Sequence, residues 1–212
     1  MVNLSKEVFS WTPQAAGWLS TYIGRLPKDK GLVEGLKTLP ETGLGIGGAT
    51  QRVAARGSSL SIGPYRMPQP TVKFTEDASG QRANPASVGL VGMEVFRKFK
   101  VTFDYSAKVI HLEPNSFFNE AFVYDASGLR LRAASPSFSP PTVAGVREAS
   151  PAQAAGIVRG DVISKLNGRD TATLSLETIR EMVHAPDHSH VLTLLRTGKV
   201  IEVVLKTREM LP

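Results

Sequence analysis

The stretch "SPAQAAGIVRGDVISKLNGRD", Ser150 to Asp170, permits very few local structures. Ala152, Ala154 and Ala155 suit a short, closely packed helix, and Gly156 ends it, because a residue without Cβ closes a helix at little cost. Gly160-Asp161 then turns the chain into a strand that stops at the turn pair Asn167-Gly168. Beyond it, "SLETIREMVH" repeats Leu176, Ile179 and Val183 at helical spacing, with Ser175 in place to cap the first turn. The runs "TVAGVR", "DVISKL", "HVLTLLR" and "VIEVVLK" read as strands, and Thr197-Gly198 as the hairpin turn between the last two.

The upstream half has a different grain. "SSLSIG", "TVKFT", "KVTFDY" and "KVIHLEP" are short alternating segments joined by turns, with little helix among them. A chain of 212 residues with 42% apolar content has room for two small domains, each with a core. Prolines and small polar residues after Pro114 place the boundary there, giving domains 1–115 and 116–212. The expected fold class is mainly β with α+β character.

Composition removes several chemistries. The chain has no cysteine, so disulfides and thiolate metal sites are excluded, and no cofactor is expected. The net charge of +6 is spread along the chain. Its densest run, "RKFK" at Arg97 to Lys100, alternates with apolar positions, and no zinc-finger spacing or aromatic RNA motif accompanies it. The reading is a solvated basic surface with no nucleic-acid partner. His184, His188 and His190 cluster around Asp187, but they run from a helix end into a strand start, which points the rings apart. They read as an exposed loop and not as a metal site. No Gly-x-Ser-x-Gly elbow supports a serine hydrolase. No apolar run reaches the length of a membrane span or signal peptide. The expected chain is soluble, and periplasmic or secreted if an upstream signal is missing.

The stretch from Ser150 to Asp170 resembles the PDZ domains of bacterial proteases, especially those of the carboxy-terminal processing type. The likeness extends over about residues 122 to 210. It implies a module that binds a peptide or protein C-terminus, or an extended segment, by strand addition beside a helix. The loop that would capture a carboxylate through its amides is then Gly128-Leu129-Arg130-Leu131, with Arg130 where many relatives carry a second glycine. Leu176 and Val183 would flank the groove; as residues of an amphipathic helix they read equally well as core.

The upstream half resembles retropepsin-like aspartic proteases, over about Gly31 to Asn115. Three places carry the likeness. Gly45-Ile46-Gly47-Gly48 matches a glycine-rich flap, "SLSIGPYRMPQPTVKF" matches the paired strands after it, and "GLVGMEVFRKFKVTFDYSAKVIHLEPN" carries the apolar-apolar-glycine element that supports an active-site loop. Such enzymes hold two carboxylates around one water, each from an Asp-Thr-Gly or Asp-Ser-Gly triplet. This chain has neither triplet. Asp29-Lys30-Gly31 lies after the expected loop, and residues 10 to 20 read "SWTPQAAGWLS". The expected protein is thus a peptide-binding PDZ module attached to an incomplete or degenerate acid-protease-like domain, with no catalytic residue in this chain. The alternatives are an aspartic endopeptidase whose acid lies in a missing upstream segment, and a structural dimerisation protein. The resemblance also implies homodimerisation through the retropepsin-like half.

Overall fold

The computed structural model describes residues 2–3, 23–25, 36–45, 48–75, 90–133 and 140–211. The chain is mainly β, with few helices, and divides into two compact units. The first comprises residues 1–122 with 211–212, and the second residues 123–210.

In the first unit, β1 (Val2–Asn3), β9 (Val109–Pro114) and β8 (Phe99–Asp104) form one sheet in that order. A second sheet runs β2 (Ile23–Arg25), β7 (Thr71–Thr75), β4 (Gly48–Arg56) and β3 (Thr38–Gly45), with β2 parallel to β7 and the other pairs antiparallel. β5 (Ser59–Ile62) and β6 (Tyr65–Pro68) make a hairpin. Gly63, with φ +55°, and Pro64 form its turn. The core gathers Ile62, Met67, Val95, Phe99, Leu112 and Phe122. Tyr65, Phe99 and Phe118 add tilted and edge-on ring contacts at 5.2 to 5.8 Å between centroids, the arrangement the ring quadrupole favours.

Phe118 and Phe122 pack in this core, and the boundary between units falls at 122/123, seven residues beyond the 115/116 division read from the prolines. Lys98 is the reason. It is not part of a solvated basic surface: only 3% exposed, its Nζ donates to the carbonyls of Phe117, Phe118 and Glu120 and lies 4.5 Å from the centre of the Phe122 ring. One buried ammonium, with three donors to place, gathers three carbonyls of one short segment around itself.

The second unit is built on a sheet in the order β10 (Leu129–Arg132), β11 (Thr142–Val146), β12 (Val162–Leu166), β14 (Ser189–Arg196) and β15 (Lys199–Lys206), with β13 (Arg169–Asp170) paired to β12. Between strands stand α2 (Pro151–Ala154), capped by the Ser150 hydroxyl, which accepts from the Gln153 amide, and α3 (Leu176–His184), capped by Ser175, which accepts from the Thr178 amide. α1 (Met93–Phe96) is the corresponding short helix of the first unit. Asn167 and Gly168 both have positive φ, as do Thr197 and Gly198, so both tight turns form where the turn residues indicated. Leu131, Val143, Ile163, Leu166, Ile179, Val183, Leu192, Leu194 and Leu205 lie in one core. Asp161 is buried against Arg196, its carboxylate accepting from Arg196 Nε at 2.7 Å and Nη2 at 2.8 Å and from the Val158 amide at 2.9 Å.

Among the described residues, no helix is long and apolar enough to cross a membrane.

Candidate peptide groove

Among the described residues β10 is an edge strand: β11 pairs with one of its sides, and α3 lies against it. An edge of this kind presents backbone donors and acceptors that no neighbouring strand satisfies. Here they are engaged by side chains instead. Arg180 of α3 donates from Nη2 to the Leu131 carbonyl at 2.7 Å, and the Ser127 hydroxyl accepts from the Leu129 amide at 3.1 Å. Arg130, between them, pairs with Gly145 of β11, and the register slips by one residue after it, at a bulge before Leu131.

The loop entering β10 is closed by its own acid. The Asp125 carboxylate accepts from the Ser127 amide, the Ser127 hydroxyl and the Gly128 amide, at 3.1, 2.7 and 3.0 Å. Gly128 has φ +76°, and a Cβ built on it would stand 2.2 Å from the Cβ of Ser150. Glycine is therefore required twice, for the left-handed backbone and for the approach of the α2 cap. The Ser150 hydroxyl in turn donates to the Arg147 carbonyl at 2.6 Å, and Arg147 donates its amide to Gly128. The loop is a rigid polar assembly.

The sequence-derived residues come together only in part. Gly128 ends the loop before β10, and Leu129, Arg130 and Leu131 lie in that strand. Val183 is 3% exposed and sits in the core, and Leu176 packs half-buried against that core, so of the two readings of this helix the structure supplies the core one for Val183. The helix residue that reaches the strand is Arg180, which the sequence reading passed over. Its signal was available: Arg180 follows Leu176 by four and precedes Val183 by three, the spacing of one helix face. Asp125, Ser127 and Ser150 were also missed, although Asp-x-Ser-Gly is a pattern in which a short acid bonds the backbone two and three residues on.

The histidines correct another expectation. The rings of His188 and His190 do not diverge. They stack with 6.1 Å between centroids and 15° between planes, and His190 is 6% exposed, with Nδ1 3.2 Å from Asn167 Nδ2. Residues 189 and 190 open β14, which carries the ring inward. Burial, and secondarily the nearby His188, pushes the His190 pKa below the usual imidazole value. His184 reaches the Val123 carbonyl at 3.1 Å. Among the described residues no group of acids and histidines has the arrangement to hold a metal ion.

In the first unit, Gly45 pairs with Gly48 at the tip of the β3–β4 hairpin. Ile46 and Gly47, the centre of the proposed flap, lie outside the described residues, as do residues 10 to 20 and Asp29 to Gly31. Val91 and Gly92 lead directly into α1, with Gly92 at its N-cap.

A PDZ-domain family model matches residues 142–197, so the second unit carries a PDZ domain. The matched segment runs from β11 through the turn after β14 and includes α3, while β10 precedes it. A search of curated proteins finds no match to the chain. Among solved structures, the HtrA3 PDZ domain bound to a phage-derived ligand (FGRWV) is similar at 28% identity, over 37% of this chain and 80% of that one, with a TM-score of 0.33. The photosystem II D1 C-terminal processing protease is similar at 22% identity over 41% of this chain and 23% of that one, with a TM-score of 0.38. The HtrA-type protease AlgW with decapeptide is similar at 18% identity over 84% and 62%, with a TM-score of 0.43.

Proposed function

We propose that the second unit binds an extended peptide or a protein C-terminus by strand addition to the free side of β10, in the groove between β10 and α3. The observation that carries this is the edge itself: a short strand with one partner strand, and a helix whose arginine reaches a carbonyl on that strand. The PDZ match over residues 142–197 supports it. An added strand gains affinity from main-chain hydrogen bonds and specificity from every second side chain.

Fluorescence anisotropy with labelled peptides of random and selected sequence tests the reading. Binding is expected to disappear in Gly128→Val, because a branched side chain at a left-handed position also collides with Ser150. Retention of full affinity by this variant, folded as judged by circular dichroism, would move the site elsewhere.

A second reading concerns the first unit. The hairpin ending at Gly45 and Gly48, and the Leu90-Val91-Gly92 approach to α1, support an acid-protease-like role for it, with the PDZ domain delivering substrate. The chain has no Asp-Thr-Gly or Asp-Ser-Gly, so the purified chain is expected to show no proteolysis that a transition-state analogue of aspartic proteases suppresses. Inhibitor-sensitive cleavage at acidic pH would reverse this expectation. Dimerisation through this unit is the third proposal, tested by sedimentation.

A further inference from the structure

Building on the groove reading, we propose that Arg180 is the groove's anion receptor, in place of the loop amides, and that ligands are selected for a carboxylate that replaces its bond to Leu131.

The argument begins at the loop. Two of the amides suited to cradle an incoming carboxylate, those of Gly128 and Leu129, already donate to the Asp125 carboxylate and the Ser127 hydroxyl. A second carboxylate arriving there meets one of the same charge, which already accepts three hydrogen bonds. Like charges at such distances disfavour one another strongly. The loop is thus organised around an internal anion.

At the other end of the strand the charge is reversed. The Leu131 carbonyl faces α3 and accepts from Arg180. A strand adding to this side of β10 needs an acceptor for its own amide, and the Leu131 carbonyl is the one in place. That oxygen could accept a second bond, but the added strand would occupy the side of β10 from which Arg180 now donates, and so displaces the guanidinium. A guanidinium half-buried between helix and strand cannot lose an acceptor without cost. A ligand carboxylate restores it best, since its two oxygens match the guanidinium fork. A neutral ligand breaks the same bond and returns nothing, so one side chain both closes the edge and sets the preference. Burial lowers the Arg180 pKa, in keeping with a cation held out of water, while Glu177, one turn earlier on α3 and exposed, is the acid that opposes the shift.

A carboxylate comes from a free C-terminus or from Asp or Glu, and the test separates these. A random heptapeptide library is selected on the full chain in two formats, with free C-termini and with both ends flanked. The best peptide of each format is synthesised as acid and amide, and with each acidic residue changed to its amide. The wild-type chain is expected to lose about tenfold in affinity when the relevant carboxylate is neutralised, the size of one charge-assisted hydrogen bond. In Arg180→Met that loss should fall below about twofold, while the neutralised peptide binds at least as well as to wild type. Arg180→Lys should lie between, and it carries the comparison if Arg180→Met does not fold. Acid-versus-amide dependence identifies the terminal source, and dependence on Asp or Glu the side-chain source. An undiminished carboxylate effect in both variants overturns the assignment to Arg180. Peptides that bind wild type with no carboxylate effect overturn it too, yet leave strand addition standing. Failure of both formats to enrich any peptide removes the groove reading itself.

Discussion

Each unit takes one charged side chain out of water, Lys98 in the first and Asp161 in the second, and they satisfy it differently. The first holds Lys98 with three backbone carbonyls and the face of Phe122. The second gives Asp161 a full counter-charge in Arg196, whose guanidinium makes two hydrogen bonds to it and a third to the Gly156 carbonyl. The electrostatic consequences run in opposite directions. Burial, with Arg97 beside it, pushes the Lys98 pKa down. The bond to Arg196 holds the Asp161 carboxyl below its ordinary range against the opposing effect of burial. At Lys98 burial outweighs the nearby acids Glu120 and Glu94, whereas at Asp161 the bond to Arg196 outweighs burial. The first device fastens a segment onto a core, whereas the second locks a turn onto a strand.

Breaking the first device should have the largest effect. Lys98→Ala leaves three carbonyls without their donor and removes the cation from the Phe122 ring. A hydrogen bond to a charged group is worth about 1.5–3 kcal/mol, so a loss of about 3 kcal/mol is expected in denaturant unfolding of the first unit. An effect under about 1 kcal/mol would mean that residues 117–122 are held by their aromatic contacts alone.

Asp161→Ala should come next, costing about 1–3 kcal/mol because the Val158 amide loses its acceptor. Asp161→Asn keeps that acceptor and should cost less. If the two substitutions are equal, the ion pair and not the amide is what matters.

The pH dependence of the second unit should be smaller and separable. The folded-state pKa of His190 lies below its unfolded value, so the unfolded chain takes up the proton first as pH falls. Stability should be full above about pH 6.5 and decline below it until the folded state also protonates, at no more than about 1.4 kcal/mol per pH unit. His190→Gln should remove this step. Asp161 has the same sign in a lower window: its contribution is complete above the ordinary value of 3.8 and is lost as pH falls through the depressed folded value. Thermal melts of wild type and His190→Gln between pH 7.5 and 5 check the first step, and a decline that persists in the variant would assign it elsewhere.

The smallest effect belongs to an ion pair in open water. Lys100 and Glu113 meet at 3.2 Å across β8 and β9 with both side chains mostly exposed. Glu113→Gln should change stability by less than about 1 kcal/mol.

Local order was written in the sequence wherever one residue type satisfies a backbone need by itself. Asn167-Gly168 and Thr197-Gly198 place positive-φ turns, Ser175 caps α3, and the spacing of Leu176, Ile179 and Val183 turns α3 toward a core. These are interactions between near neighbours, fixed before the chain is compact, and they sufficed to recognise the PDZ half. The tertiary structure decided what distant residues do to one another. It made Lys98 interior by bringing residues 117–120 to it, turned His190 inward through the start of β14, and set Arg180 against Leu131 across 49 positions. The helix face of Arg180 could be read from its spacing, but none of these partners could, because whether a charge is buried depends on which carbonyl or carboxylate arrives from elsewhere in the chain. The strand β10 is legible in the sequence; that Arg180 bonds its Leu131 carbonyl is decided only when helix and strand meet.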